Sequence, residues 1–170
     1  MKSIITLALL FTLSFFFHSI GYAADFVEFK KIARETIKQA KSGHIDNIDQ
    51  LIKMQTQLIN IGKKATRNYG ATNPKAAKMM RFVVAEVDHM KAMSLMQIEI
   101  QWHGKAFLKA KGIPDSLLFE QSKTGNIIDT VIHPATTYIL LSEYKTSKDE
   151  KLLQQVVGEL EEVLHHIDLI

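Results

Sequence analysis

After residue 24, apolar residues recur at spacings of three and four along most of the chain, which places them on one side of an α-helix. Polar and glycine-containing breaks separate the periodic segments. The pattern predicts an all-α fold, an antiparallel four- or five-helix bundle. The predicted helices run from Asp25 to Ser42, from Ile45 to about Asn68, from Pro74 to Lys111, from Asn126 to Tyr144, and from just after Ser147 to the end of the chain.

Local signals place the ends of the later helices. Thr72-Asn73-Pro74 resembles a capped helix start, and Asn126 is a further predicted N-cap. Pro134 removes a backbone donor, so it predicts a kink or break in the fourth helix. The last helix has the clearest apolar seam and is predicted to face the core through Leu153, Val156, Leu160, Val163, Ile167 and Ile170.

The third segment, Lys75 to Lys111, is predicted to be a single long helix around which the bundle is built. At about 100° per residue, polar and soft side chains share one stripe with apolar ones. We expect that stripe to face inward. Its members are Phe82, Glu86, His89, Met93, Met96, Ile100, His103 and Phe107.

The first 23 residues have the pattern of a secretory signal peptide. Lys2 precedes an apolar run from Ile4 to Phe17, and Gly21-Tyr22-Ala23 supplies small residues for cleavage. We expect cleavage after Ala23, which leaves residues 24–170 as a single helical-bundle domain in the periplasm or outside the cell. An uncleaved membrane anchor is the alternative interpretation. No later segment predicts a membrane span.

Composition excludes several classes of protein. The formal charge of +3 is small and the lysines are scattered, so nucleic-acid binding is not expected. The chain has no cysteine, which excludes disulfides, thiolate metal sites and covalent haem attachment. No Gly-rich phosphate loop or hydrolase motif is present, so we do not expect an enzyme.

Imidazole and thioether groups on successive helical turns point to metal chemistry. Glu86, His89, Met93 and Met96, with His103, could converge on one ion, and these donors suit copper, particularly Cu(I). One helix rarely completes a coordination shell, so His133 or His166 is expected to contribute. The same stripe also fits a packed core in which methionine fills gaps and a histidine bonds a carboxylate.

Two Glu-x-x-His pairs, Glu86–His89 and Glu162–His165, are typical of di-iron bundles, with Asp129 as a further carboxylate. The seam of the last helix directs Glu162 and His165 toward solvent, which disfavours that site. Asp129 and His133 also lie one helical turn apart. That pair fits a histidine held by a carboxylate next to the proline.

The stretch from Glu35 to Asp46, ETIKQAKSGHID, continues as a helical pattern to Lys64. Residues 35–64 resemble the first hairpin of small periplasmic histidine-rich metal-binding proteins of the helical-bundle kind. The resemblance implies an exported metal-binding bundle. The hairpin keeps only His44 of the family's histidines and has Lys53, Met54 and Gln57 where others are expected.

The leading functional hypothesis is therefore an exported protein that binds a transition metal such as copper for sequestration or delivery, without turnover. Noncovalent haem binding by a His–Met or His–His pair is a second hypothesis and implies an electron carrier. A ligand-free accessory module, acting through a protein partner or as a homo-oligomer, is a third. The expected partners are a metal ion or small ligand, with no stable membrane insertion after cleavage.

Overall fold

A computed structural model describes residues 25–43, 45–118 and 122–170, and the regular elements in these ranges are all helices. The signal-peptide prediction and His44 of the resembling hairpin lie outside the described residues. The elements are helix α1 (residues 25–42), α2 (Ile48–Thr72), α3 (Ala77–Lys91), α4 (Leu95–Ile98), a π-helical segment (Glu99–His103), α5 (Ala106–Ala110), a 3₁₀ turn (Asp115–Leu117), α6 (Lys123–Ser147) and α7 (Glu150–Asp168).

Helix α6 is the central element of the fold. Almost every side chain between Thr124 and Leu141 is buried, and α6 packs against α2, α3 and α7. A helix that is buried on nearly all sides is enclosed by its neighbours. The expectation that the segment from Lys75 to Lys111 occupies this position is therefore wrong.

Four long helices pair in antiparallel directions. Asp49 on α2 pairs with Lys145 near the end of α6, and Tyr69 near the end of α2 bonds Thr124 near the start of α6. Helices α6 and α7 meet in the same way, through side chains described below. The remaining pairs are α1 with α2, joined by Thr36–Gln55 and Asp25–Lys64, and α1 with α7, joined by Lys30–Asp168 and Lys41–Glu161.

Helices α2 and α6 approach each other closely at Gly62. A Cβ atom built on Gly62 would lie 2.2 Å from the carbonyl oxygen of Thr130. Thr130 is four residues before Pro134, whose ring nitrogen has no hydrogen to donate to that carbonyl. The Thr130 carbonyl oxygen therefore lies against a residue of α2 that has no side chain, and the residue four positions later in α6 has no N–H to donate to it.

The predicted break at Pro134 is wrong, because α6 continues through it from Lys123 to Ser147. Packing on all sides of the helix offsets the loss of one backbone hydrogen bond. Asn126 is also not the N-cap. That role belongs to Ser122, whose hydroxyl accepts from the Gly125 amide at 3.0 Å, while Asn126 is buried one turn further along the helix.

The segment predicted as one long helix is divided at Ala92 and Ser94. Helix α3 ends at Lys91, and Ser94 caps α4 in a capping box with Gln97. A serine that accepts from the following backbone competes with continued helix, which explains the division. After the π-helical segment the chain reverses at Lys105, whose φ of 61° is left-handed.

The predicted seam of the last helix is confirmed. Its first five members are buried, and Asp149 caps the helix. The prediction that Glu162 and His165 face solvent is also confirmed, since both residues are exposed. Among the described residues, none of the helices combines the length and apolar character that crossing a membrane requires.

Candidate metal centre

Three helical segments bring two imidazoles and a carboxylate together. His133 on α6 contacts Glu159 on α7, with 2.8 Å between His133 Nδ1 and Glu159 Oε2. His103, the last residue of the π-helical segment, places Nε2 at 3.6 Å from the same oxygen. One ligand atom from each of these residues lies within 4.8 Å of the others. We call His103, His133 and Glu159 the first triad.

The π-helical segment sets the direction of His103. An i to i+5 turn holds one more residue than an α-turn, so the side chains after it are rotated relative to an α-helical path. The segment closes with a 2.7 Å bond from the Gly104 amide to the Glu99 carbonyl. Such turns are frequent at functional sites because they redirect a single side chain. Here His103 is directed onto α6.

Thr136 fixes the ring of His103 from the α6 side. Its hydroxyl lies 2.9 Å from His103 Nε2 and 3.1 Å from the Ile132 carbonyl, to which it donates. The hydroxyl oxygen therefore accepts from Nε2–H. For Nε2 to bind a metal ion, the ring must adopt its other neutral tautomer, with the proton on Nδ1.

A second group shares His133 with the first. Asp129 lies one turn before His133 on α6, and His166 lies two turns after Glu159 on α7. His166 Nδ1 is 2.9 Å from Asp129 Oδ2. One ligand atom each from Asp129, His133 and His166 also lies within 4.8 Å of the others. We call these residues the second triad.

Burial separates the members of the cluster. The side chain of His133 is 2% exposed, whereas those of His103 and Glu159 are 18% and 20% exposed. The rings of His103 and His166 contact His133 edge to face, with centroids 5.0 and 5.5 Å from it. His133 is thus the buried centre of the cluster, and the other four residues surround it.

The pKa values of His103 and His133 are shifted in opposite directions. Burial lowers the pKa of His133, but the hydrogen bond to Glu159 and the negative charges of Asp129, Glu159 and Glu162 outweigh it, so the net pKa is above 6.5. Burial dominates at His103 and lowers its pKa, although Glu159 opposes that change. The cluster therefore favours a positive charge on His133 and a neutral ring at His103.

An open groove of about 560 Å³ adjoins the first triad. Glu159 and Thr136 belong to its wall, so the groove leads to the triad from solvent. Three carboxylates make this surface acidic, which favours the approach of cations. The lining residues are Leu95, Met96, Glu99, Thr136, Leu140, Gln155, Gly158, Glu159 and Glu162.

Of the six predicted site residues, the structure places only His103 and His133 in this cluster. Glu86 and His89 contact each other at 3.1 Å on the surface of α3, where the His89 side chain is 65% exposed. Met93 is half-buried, and Met96 is 73% exposed. The expectation of one inward-facing stripe is wrong, because the helix is divided at Ser94 and the two halves no longer share a face.

Sequence reasoning missed Glu159 and gave His166 and Asp129 only secondary roles. A usable signal was present on α7. Glu159 and His166 are seven residues apart, so they lie on one flank of the apolar seam. A polar pair at this spacing beside a core-facing seam is directed at the neighbouring helix, which here carries His133.

Comparison of the chain with protein-family models, curated proteins and solved structures gives no match.

Proposed function

We propose that the protein binds a divalent transition-metal ion at the first triad and acts in metal sequestration or delivery, without turnover. The observation that carries this proposal is the convergence of His103, His133 and Glu159 from three separate helical segments. Ligands from separate segments approach an ion from different directions and can surround it. Ligands on successive turns of one helix approach from one side only.

The donor set favours a particular group of metals. Two imidazoles and one carboxylate suit Zn²⁺, Fe²⁺ and Cu²⁺. Thioether donors, which favour Cu(I), are not among the three ligands of the triad, although Met96 lines the adjoining groove. We therefore retain copper as a candidate in its divalent state. Coordination positions on the groove side would be filled by water or by a ligand of a partner protein.

We further propose that α1, α2, α6 and α7 constitute an antiparallel four-helix bundle and that the protein is exported. The four antiparallel pairings support the bundle, and the N-terminal sequence pattern supports export. In such a bundle metal ligands project inward from facing helices. The first triad follows that arrangement, with the π-helical segment supplying the third direction.

Equilibrium dialysis of the purified protein against Zn²⁺ and Cu²⁺, followed by elemental analysis, tests the proposal. We expect at least one ion per chain, and we expect His103→Ala to weaken binding of the first ion. His89→Ala is the matched control, because it removes an exposed histidine that contacts a glutamate away from the cluster. It should bind as the wild type does.

Binding of no stoichiometric ion would overturn the proposal, and so would equal losses in His103→Ala and His89→Ala. A visible spectrum of the protein as purified adds a separate check. A Soret band accompanied by stoichiometric iron would assign the histidines to haem and contradict the proposal.

A further inference from the structure

The second triad repeats the donor set of the first. Asp129 and His166 supply one carboxylate and one imidazole, and His133 supplies the second imidazole. Asp129 precedes His133 by four residues, so its backbone lies roughly 6 Å from that of His133 along the axis of α6. The two triads therefore follow the α6–α7 contact one after the other, with His133 common to both.

The shared ring has a nitrogen for each triad. His133 Nδ1 lies 2.8 Å from Glu159, so this nitrogen belongs to the first triad. The ring also lies between the rings of His103 and His166, at centroid distances of 5.0 and 5.5 Å. Nε2 is the remaining nitrogen, and the bridge proposed below assigns it to the second ion.

His166 provides an independent observation. Its Nδ1 atom is buried and makes no hydrogen bond, although Asp129 Oδ2 is only 2.9 Å away. The carboxylate oxygen is close to the nitrogen but out of line with the N–H direction, a geometry that loses most of a hydrogen bond. A cation between the two atoms would satisfy both lone pairs, because two ligands of one ion need not point at each other.

We propose that a second divalent transition-metal ion binds between Asp129 and His166 and that His133 bridges it to the first ion, which makes the cluster a dinuclear centre. This inference rests on the proposed function, since the bridge requires an ion in the first triad. The second ion replaces the proton on His133 Nε2, and that proton passes to solvent. The bridging imidazolate and the carboxylates of Asp129 and Glu159 together offset three of the four positive charges.

Titration of the purified protein with Cu²⁺, followed by electron paramagnetic resonance, tests the bridge. The first equivalent should give the signal of an isolated Cu²⁺ ion. As the second equivalent binds, the integrated signal per copper should fall, because two ions joined by an imidazolate couple antiferromagnetically. Two bound ions that retain the full signal of independent centres would overturn the bridge.

Variants separate the second ion from the first. Asp129→Asn and His166→Gln should each lose one of two equivalents in dialysis against Zn²⁺ and keep the other. His165→Gln is the matched control, since His165 is the exposed neighbour of His166 and belongs to neither triad. Circular dichroism of each variant verifies that the helices are retained.

The outcomes distinguish this inference from the proposed function. A wild-type protein that binds one ion, with binding unchanged in Asp129→Asn and His166→Gln, supports the first triad and contradicts the second. A protein that binds two ions, neither of them affected by these substitutions, also contradicts the second triad. Binding of no ion contradicts both.

Discussion

His133 receives contacts from three elements, which makes it the most constrained titratable residue of the cluster. Glu159 on α7 bonds its Nδ1, Asp129 lies one turn away on α6, and His103 packs on its ring from the π-helical segment. A buried charged imidazole is stable only with such partners. In the proposed centre the same partners would become ligands, with cations in place of the ring protons.

Replacing His133 should therefore affect both metal positions at once. We expect His133→Gln to weaken binding of the first ion by more than about 100-fold, which exceeds the effect typical of outer-shell partners. Binding of the second ion should be abolished. Competition with a chromophoric chelator measures the affinities. His165→Gln provides the comparison, and unchanged binding in His133→Gln would show that the ion is held elsewhere.

The opposite pKa shifts of His133 and His103 predict how stability depends on pH when metal has been removed with a chelator. The raised pKa of His133 adds stability that is complete below pH 6.5 and is lost as the pH rises through the folded-state value. The lowered pKa of His103 adds stability that is complete above pH 6.5 and is lost as the pH falls through its folded-state value. The combined contribution of the two histidines to the free energy of unfolding is therefore largest near pH 6.5.

Urea denaturation between pH 5 and 9 measures this profile. His133→Gln should remove the decline on the alkaline side, because glutamine does not titrate. His103→Gln should remove the decline on the acid side. The other groups that act on the two rings, namely Glu99, Asp129, Glu159, Glu162 and His166, are unchanged in both variants. A variant profile parallel to that of the wild type on the relevant side would contradict the assignment.

At the scale of elements, the apolar period predicted helices well where a single neighbouring surface determined burial. The five buried seam residues of α7 follow from periodicity alone. The division at Ser94 did not follow, because a capping box and a continued amphipathic helix have the same local composition there. The orientation of His103 depends on a π-turn, which leaves no clear mark in the hydrophobic pattern.

The contact between α2 and α6 gives the sharpest prediction at this scale. Gly62→Ala should lower the free energy of unfolding by about 1–3 kcal/mol, because the new Cβ must displace the Thr130 backbone rather than a flexible side chain. Gly158→Ala is the control. Apart from the neighbouring backbone of α7 itself, no atom lies within 4 Å of the Cβ position at Gly158, so alanine should add about 0.5–1 kcal/mol through helix propensity.

Urea denaturation of both variants at one pH measures these changes in the free energy of unfolding. Equal stability changes in Gly62→Ala and Gly158→Ala would show that α2 and α6 approach less closely than the structure describes. A loss confined to Gly62→Ala would support the close contact between Gly62 and the Thr130 carbonyl.

For the whole molecule, sequence reasoning predicted the helical class but placed the central helix incorrectly. Helix α6 buries polar as well as apolar residues on nearly all sides, and a proline within it suggested a break instead of a buried core helix. The prediction of the site residues failed for a related reason. Its ligands come from helices that are distant in sequence, and the pairing of those helices is not contained in the periodicity of any one of them.

Export is the prediction that belongs to the whole chain. Expression in a bacterial host should yield a soluble periplasmic protein whose N-terminal residue is Ala24, because Gly21 and Ala23 are small enough for the peptidase. Intact-mass spectrometry of the fractionated protein measures the cleavage position. As a control, Ala23→Tyr should retain the leader. Wild-type protein found in the membrane with Met1 in place would support an anchor instead.

The groove beside Glu159 has a kinetic consequence. His133 is enclosed by helices, while Glu159 and Thr136 belong to the groove wall, so solvent molecules and foreign donors would reach an ion in the proposed site through the groove. A chelator or partner protein that takes up the ion would have to bind it before Glu159 dissociates. Release should therefore follow an associative pathway, with an off-rate that increases with chelator concentration and does not level off at a slow spontaneous step.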